Sequence, residues 1–194
     1  MSIRVTPPCS DCWRDQRSAL DLKVRIRAQW VRASGLASVR VLDAYHGDGV
    51  VWDEVRARVD VPIVTVGVDL KPGKAGAVVR VDNRAALSGW DLGGFDAVDL
   101  DEYGWPTEQV AIVAKRGFGG PVFVTQIHQS IGHVPAKVLE TVGIDPDWSD
   151  VAPGLFMAEA DDLWLEYLGA LGFRRAEWWV VPGGMRKWYG TIHM

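Results

Sequence analysis

Hydrophobic residues in this chain gather in short runs, and polar segments with helical spacing separate the runs. The runs predict five strands, at residues 39–43, 61–68, 76–81, 95–100 and 120–125. Segments long enough for crossover helices lie between them, for example residues 50–59 and 107–116. Apolar strands that alternate with helices are typical of a parallel sheet with both faces covered.

The end of the chain departs from this alternation. Residues 161–171 have the apolar stripe of an amphipathic helix, and Gly172 follows as a typical helix cap. Two further strands, at residues 175–181 and 187–193, are separated by too few residues for a parallel crossover. The chain is therefore predicted to form an α/β fold with a mostly parallel seven-stranded sheet, a C-terminal antiparallel hairpin and helices on both faces.

The beginning of the chain differs in charge from the remainder. Residues 1–40 carry a net charge of +5, whereas the rest carries −9. Residues 18–34 lack Gly and Pro, which favours a helix, although their first part alternates as a strand would. We expect a basic helical leader at residues 1–35 and one main domain at residues 36–194. Such a leader fits either a phosphate contact or a solvated helix face.

Composition narrows the class of protein. The 194 residues suit one domain, and 48% hydrophobic with 24% charged residues is ordinary for a globular protein. No apolar run approaches the roughly 20 residues of a membrane helix, and no secretory segment is evident. We expect a cytoplasmic protein without a membrane partner. The net charge of −4 argues against non-specific coating of nucleic acid.

The two cysteines, Cys9 and Cys12, form a C-x-x-C pair. A structural zinc site usually needs four ligands, and no second cysteine pair exists. Histidines or another chain would have to supply the other two. We predict two reduced thiols and no metal site.

The loop Asp43-Ala-Tyr-His-Gly-Asp-Gly49 follows the first strand of the main domain. Its glycines let the backbone approach a ligand closely, and open α/β sheets bind ligands at the carboxyl ends of their strands. Dinucleotide-binding loops place a third small residue three positions further on, where this chain has Trp52. The loop instead resembles the D-x-F-x-G-x-G form of motif I in class I (Rossmann-like) S-adenosylmethionine (SAM) methyltransferases.

This resemblance implies S-adenosyl-L-methionine as the cofactor and gives roles to residues at successive strand ends. The acid after the second strand would bind the ribose hydroxyls, and a polar pair after the third would contact the adenine amine. The implied cofactor-binding residues are Asp43, Tyr45, His46, Gly47, Gly49, Asp69, Asp82 and Asn83.

The fourth strand ends in Asp99-Leu-Asp-Glu-Tyr-Gly-Trp-Pro106. This segment is similar to the D-x-D-P-[FY]-G-x-P motif of the transfer-RNA guanine-N2 dimethyltransferases, with Glu102 in place of the first proline. The resemblance implies that Asp99, Asp101 and Tyr103 are catalytic. A carboxylate that accepts an amine N–H orients the nitrogen lone pair, and an aromatic ring stacks on a flat base.

The resulting hypothesis is an enzyme that methylates a nitrogen of a base in RNA or DNA with SAM. Two alternatives remain, namely methylation of a small molecule or protein, and a non-catalytic SAM-binding accessory subunit. The partners expected are a nucleic-acid substrate and either a second copy of the chain or another subunit. His128, after the fifth strand, is either a proton shuttle or a structural residue.

Overall fold

The structure is a computed structural model that describes residues 4–6, 19–71, 78–102, 104–128, 133–181 and 186–194. Its strands are β1 (Arg4–Thr6), β2 (Val39–Asp43), β3 (Ile63–Val68), β4 (Val78–Val79), β5 (Ala97–Leu100), β6 (Val122–His128), β7 (Arg175–Val181) and β8 (Arg186–His193). Its helices are α1 (Ala19–Ser34), α2 (Val50–Arg56), α3 (Asn83–Gly89), α4 (Thr107–Lys115), α5 (Ala136–Thr141), α6 (Asp147–Val151), α7 (Pro153–Ala158) and α8 (Ala160–Ala170).

Across the described ranges the strands form one eight-stranded sheet in the order β1-β7-β8-β6-β5-β2-β3-β4. Pairing is parallel between β1 and β7, and it is parallel along the series from β6 through β5, β2 and β3 to β4. Strand β8 runs antiparallel to both β6 and β7. The predicted mostly parallel sheet with a C-terminal antiparallel hairpin is therefore confirmed.

Helices cover both faces of the sheet. Successive side chains of a strand point to opposite faces, so neighbouring residues of one strand belong to different cores. On one face, Val124 of β6 belongs to a core that includes Trp164 of α8. On the other face, Phe123 packs in a second core with Val31 of α1 and Trp52 of α2. No described helix has the length and apolar character needed to cross a membrane.

The start of the chain holds a strand that the sequence did not predict. Arg4–Thr6 lies within the expected helical leader, yet it pairs with β7 as the eighth strand. The β-branched Val5 and Thr6 favour extended backbone, and the edge of β7 offers unpaired backbone groups. Cys9 and Cys12 lie outside the described residues, and the division of the chain at residue 35 stays a prediction.

Helix α1 packs as part of the main fold. Val24 and Val31 are completely or almost completely buried in the core beneath it. The helix ends at Ser34, and the following Gly35 has a φ of 69°, a left-handed value that glycine adopts without steric cost. This packing carries the polar face of α1 to the end of β5, as described below.

Strand β2 lies between β5 and β3, so chain connections leave it in opposite directions. In open α/β sheets this reversal opens a crevice outside the carboxyl ends of the strands, where ligands bind. The loop after β2 and the segment after β5 both end at this crevice. The topology therefore brings together the two sequence motifs that carry the predicted chemistry.

Candidate functional site

The loop from Asp43 to Gly49 connects β2 to α2 at the carboxyl edge of the sheet. The backbone N–H of Ala44 donates to the carbonyl of Asp99 at 2.9 Å. The N–H of His46 donates to the carbonyl of Val68 at 3.2 Å. These bonds fix the loop to the ends of both neighbouring strands, so its position follows from the sheet.

Two glycines in this loop have a backbone conformation that other residues rarely adopt. Gly47 has a φ of 53° and Gly49 has a φ of 74°. A side chain in this left-handed region meets the following carbonyl oxygen, and glycine lacks that clash. The glycines predicted from the motif are therefore required by the local backbone.

The imidazole of His46 fills a space between two glycines. Its Nδ1 lies 3.0 Å from Oδ2 of Asp43, and this hydrogen bond raises the pKa of His46. A Cβ on Gly67 would lie only 2.4 Å from Cγ of the ring, and a Cβ on Gly49 would lie 2.8 Å from its Nε2. Gly67 was not among the predicted site residues, although a lone glycine inside an apolar strand often marks such a close approach.

Asp69 lies directly after β3, at the predicted position of the ribose-binding acid. Its Oδ2 accepts a hydrogen bond from the N–H of Gly47 at 2.9 Å, and its Oδ1 accepts from the N–H of Lys71 at 2.8 Å. The carboxylate thus links the end of β3 to the glycine loop. Each carboxylate oxygen has a further lone pair for a ligand hydroxyl.

Asp82 is the N-cap residue of α3, and Asn83 is its first residue. The carboxylate of Asp82 accepts from the backbone N–H groups of Arg84 at 2.9 Å and Ala85 at 3.3 Å, as a helix cap does. Hydrogen bonding by the Arg84 side chain lowers the pKa of Asp82. Asn83 accepts a hydrogen bond from Gln109 at 3.2 Å. Both residues therefore have a structural role beside the predicted contact with adenine.

Asp99 is only 1% exposed and forms a buried ion pair with Arg27 of α1. Two guanidinium nitrogens of Arg27 donate to its two oxygens at 2.6 Å each, and Trp52 Nε1 donates at 2.7 Å. Burial raises the pKa of Asp99 to about 6, against the opposing effect of Arg27. A residue predicted to be catalytic is thus held by three donor atoms from two helices.

Asp101 forms the second link between β5 and α1. Nζ of Lys23 lies 2.5 Å from its Oδ1 and 2.7 Å from its Oδ2. Burial opposes ionisation, but the positive charges of Arg27 and Lys23 lower the pKa of Asp101. Asp101 is therefore a carboxylate at neutral pH and accepts hydrogen bonds. Tyr103, the other predicted catalytic residue, lies outside the described residues.

A cavity of about 150 Å³ opens between these two motifs. It is lined by residues from the loop after β2 and from the end of β5, including Asp43, Tyr45, His46, Asp99 and Asp101. Asp69, Asp82 and Asn83 do not line it. The structure thus brings the motif I residues together with the predicted catalytic acids, while the predicted ribose and adenine contacts lie further along the edge.

A larger cavity of about 430 Å³ lies at the opposite, amino edge of the sheet. Its lining comes from the turns before β5 and β6 and includes Arg116 and four glycines, Gly93, Gly117, Gly119 and Gly120. Neither predicted motif contributes to it. Because open α/β sheets bind ligands at the carboxyl edge, the smaller cavity is the better candidate site.

Solved structures of other proteins share the fold of this chain. No family model matches the chain, and no curated protein matches it with significance. Among solved structures, the [4+2]-cyclase SpnF matches with a TM-score of 0.56 and 17% identity, over 93% of this chain and 85% of that one. A SAM-dependent methyltransferase from Archaeoglobus fulgidus matches with a TM-score of 0.50 and 15% identity, over 92% and 96%.

Magnesium protoporphyrin IX methyltransferase (ChlM) from Synechocystis, solved with bound SAH, also matches. Its TM-score is 0.50 at 14% identity, and the match covers 89% of this chain and 82% of that one. The chain has the class I methyltransferase fold. Identities this low establish the fold alone, and SpnF shows that a protein described as a cyclase shares it.

Sequence reasoning missed three charged residues of this methyltransferase-fold site. Lys23 and Arg27 are spaced four apart on α1 and so share one helix face, between apolar positions that are buried. That spacing was the available signal, but it also fits a solvated face. The third is Glu102, whose negative charge acts on Tyr45 of the glycine loop and helps burial to raise the pKa of the Tyr45 hydroxyl.

Proposed function

We propose that this protein is an enzyme that transfers a methyl group from SAM to a nitrogen of a nucleic-acid base. The observation that carries the proposal is the cavity at the carboxyl edge, where the positive-φ glycine loop meets the carboxylates Asp99 and Asp101. The similarity of residues 99–106 to an amine-methylating motif supports the choice of a base as acceptor.

The residues present fit SAM. Its sulfonium and ammonium groups are cationic, and Asp43 provides a carboxylate on the cavity wall. The cavity is smaller than the roughly 300–1,000 Å³ of typical ligand sites, so a nucleoside cofactor would extend from it along the strand ends toward Asp69. The remaining lone pairs of Asp69 would accept the ribose hydroxyls.

When bound, SAM supplies an electrophilic methyl group on sulfur. The protein's part is to hold the acceptor nitrogen in line with that methyl group, since positioning dominates such displacements. The lowered pKa of Asp101 keeps it ionised at neutral pH, so it serves as a hydrogen-bond acceptor for an amine N–H. Lys23 contacts both oxygens of Asp101, so it must then share one of them with the amine or release it.

A second candidate function is a SAM-binding accessory subunit without catalysis of its own. It is favoured by one observation, that both acids at the end of β5 are already ion-paired with α1. Methylation of a small molecule or a protein is a further outcome that the following experiment would reveal.

Calorimetry with SAM and with NAD, followed by labelled methyl transfer to RNA, DNA, protein and metabolite fractions, tests the proposal. We expect binding of SAM, no binding of NAD, and label in a nucleic-acid fraction. Asp101→Asn should lower transfer by about 100-fold or more, as loss of a transition-state hydrogen-bonding group does, with SAM affinity unchanged. The exposed Asp60→Asn serves as the control.

Failure to bind SAM would refute the proposal altogether. Binding without transfer to any fraction would support the accessory subunit, and label only in protein or metabolites would move the acceptor to those classes.

A further inference from the structure

Three polar side-chain atoms at the carboxyl edge of the sheet are buried without a hydrogen-bond partner among the described residues. They are Oε2 of Glu102, Oγ1 of Thr125 and Nε2 of Gln126. Successive residues of a strand point to opposite faces, so Thr125 lies on the other face from Gln126, and Glu102 and Gln126 form the pair considered next. The Gln126 side chain is only 1% exposed. Leaving such groups unpaired costs stability, and native proteins satisfy the large majority of them. The pair therefore calls for a ligand or another functional explanation.

The end of the β5–β6 pairing brings these two residues close to each other. The last parallel pair is Leu100 with Val124. Gln126 follows two positions later within β6, and Glu102 follows two positions later, just beyond the end of β5. Side chains two positions apart point to the same face, and adjacent strands lie about 4.8 Å apart. Val124 belongs to the core that contains Trp164, so Gln126 lies on the face away from α1. Glu102 interacts electrostatically with Arg84 of α3 and Glu108 of α4, whose helices pack on that same face.

The two atoms have complementary hydrogen-bonding character. A carboxylate oxygen accepts N–H groups, whereas the amide nitrogen of glutamine donates. A ligand that satisfies both must present a donor next to an acceptor on one flat edge. The exocyclic amine of a nucleobase, beside its ring nitrogen or carbonyl, has this pattern.

We infer that Glu102 and Gln126 bind the edge of the acceptor base, with Glu102 accepting one N–H of the exocyclic amine while Asp101 accepts the other, and with Gln126 donating to the neighbouring ring nitrogen or carbonyl. This inference rests on the proposed function and names residues that recognise its substrate. The charge of Glu102 also acts on Tyr45 and helps to raise the pKa of its hydroxyl, so this edge adjoins the glycine loop. Glu102 thereby joins the acceptor to the methyl donor site, although it occupies the position of a proline in the similar motif.

The test measures nucleoside binding in the presence of SAH by ligand-observed NMR. The probes are adenosine, cytidine and guanosine, each with its partner lacking the exocyclic amine, namely purine riboside, uridine and inosine, and a short RNA with the preferred base. We expect at least one amine-bearing nucleoside to bind better than its partner that lacks the amine. If no free nucleoside binds, we expect the RNA to bind. Glu102→Gln should weaken that binding about 10- to 100-fold, as loss of a hydrogen bond to a charged group does.

Glu108→Gln is the matched control, because Glu108 is an exposed acid on α4 that ion-pairs with Arg84. It removes the same charge nearby and should leave nucleoside binding unchanged. Gln126→Leu should also weaken binding of the preferred probe while SAH still binds. If the RNA binds and no free nucleoside does, the base is read within a polymer and the inference stands.

Stability and pH provide readouts that a purely structural role would not give. Because Glu102 loses solvation on folding without full compensation, Glu102→Gln should leave the Tm unchanged or raise it by about 2–4 °C. Burial raises the pKa of Glu102 above its ordinary 4.5, so affinity for the base should fall as the pH drops through that raised value. The affinity of Glu102→Gln should not follow this profile.

Equal binding by the wild type and Glu102→Gln would overturn the inference, as would a wild type that binds SAH but no amine-bearing nucleoside or RNA. A strong loss of Tm in Glu102→Gln would also overturn it, because the residue would then be structural. Failure to bind SAH would instead overturn the proposed function, so the two failures are distinct.

Discussion

Gly67 and His46 share one small volume at the end of β3. The imidazole lies where a side chain on Gly67 would be, and its Nδ1 contacts the carboxylate of Asp43. This arrangement sets the height of the glycine loop above the sheet. Gly67 is thus as important for the loop as the two glycines within it, although it lies about 20 positions away along the chain.

Gly67→Ala should therefore displace the His46 ring and disturb the glycine loop. We expect the free energy of unfolding to fall by about 1–3 kcal/mol, as in overpacked cores, and SAM affinity to fall about tenfold or more. Urea denaturation and calorimetry measure the two effects. Gly89→Ala is the control, since a Cβ there meets nothing within 4 Å and should be tolerated. Equal SAM affinity in the two variants would contradict the role of Gly67.

Helix α1 contributes two cations to the end of one strand. Lys23 contacts Asp101 and Arg27 contacts Asp99, and these contacts join residues 78 and 72 positions apart. Arg27 also lies over the ring of Phe123, with its guanidinium 5.1 Å from the ring centroid. The helix therefore fixes the geometry of β5 and neutralises most of the charge that its acids place together.

Arg27→Met should leave Asp99 buried beside a single remaining donor side chain, Trp52. Removing one partner of a buried ion pair costs about 3–5 kcal/mol, because the other charge stays desolvated, and we expect a loss of that size. Arg25→Met, on the exposed side of the same helix, should change stability by less than about 0.5 kcal/mol.

The double variant Arg27→Met with Asp99→Asn should recover part of the loss, because no unpaired charge then remains. Chemical denaturation of the single and double variants measures this coupling. A small effect of Arg27→Met, similar to that of Arg25→Met, would show that the ion pair does not hold α1 on the sheet.

Cavities lie at both the carboxyl edge and the amino edge of the sheet, and different kinds of residue line them. The carboxyl edge carries the glycine loop and the acids, whereas the amino edge carries turns rich in glycine. If SAM binds as proposed, SAH should slow backbone hydrogen exchange in residues 43–49 and 69–71. It should leave residues 91–96 and 116–120 unchanged. Protection confined to the amino edge would place the ligand in the larger cavity and contradict the proposed site.

Much of this architecture could be predicted because it depends on short-range properties of the chain. The order of apolar runs predicts the parallel strands, and the brief connection before β8 predicts the antiparallel hairpin. Gly47 and Gly49 were found because a tight turn after a strand needs positive φ values within a few residues. Strand β1 was missed because three residues give too short a pattern, and its pairing depends on the distant edge of β7.

The sequence alone established the fold class, the glycine loop and the strand-end acids, because each is encoded by neighbouring residues. Only the tertiary structure assigned partners to the charges. It turned Asp99 into a buried ion pair with Arg27, joined Asp101 to Lys23 and left Glu102 with an unpaired oxygen. The physical reason is that the energy of a charge depends on its solvation and its nearest partner, and packing elements distant in sequence determines both.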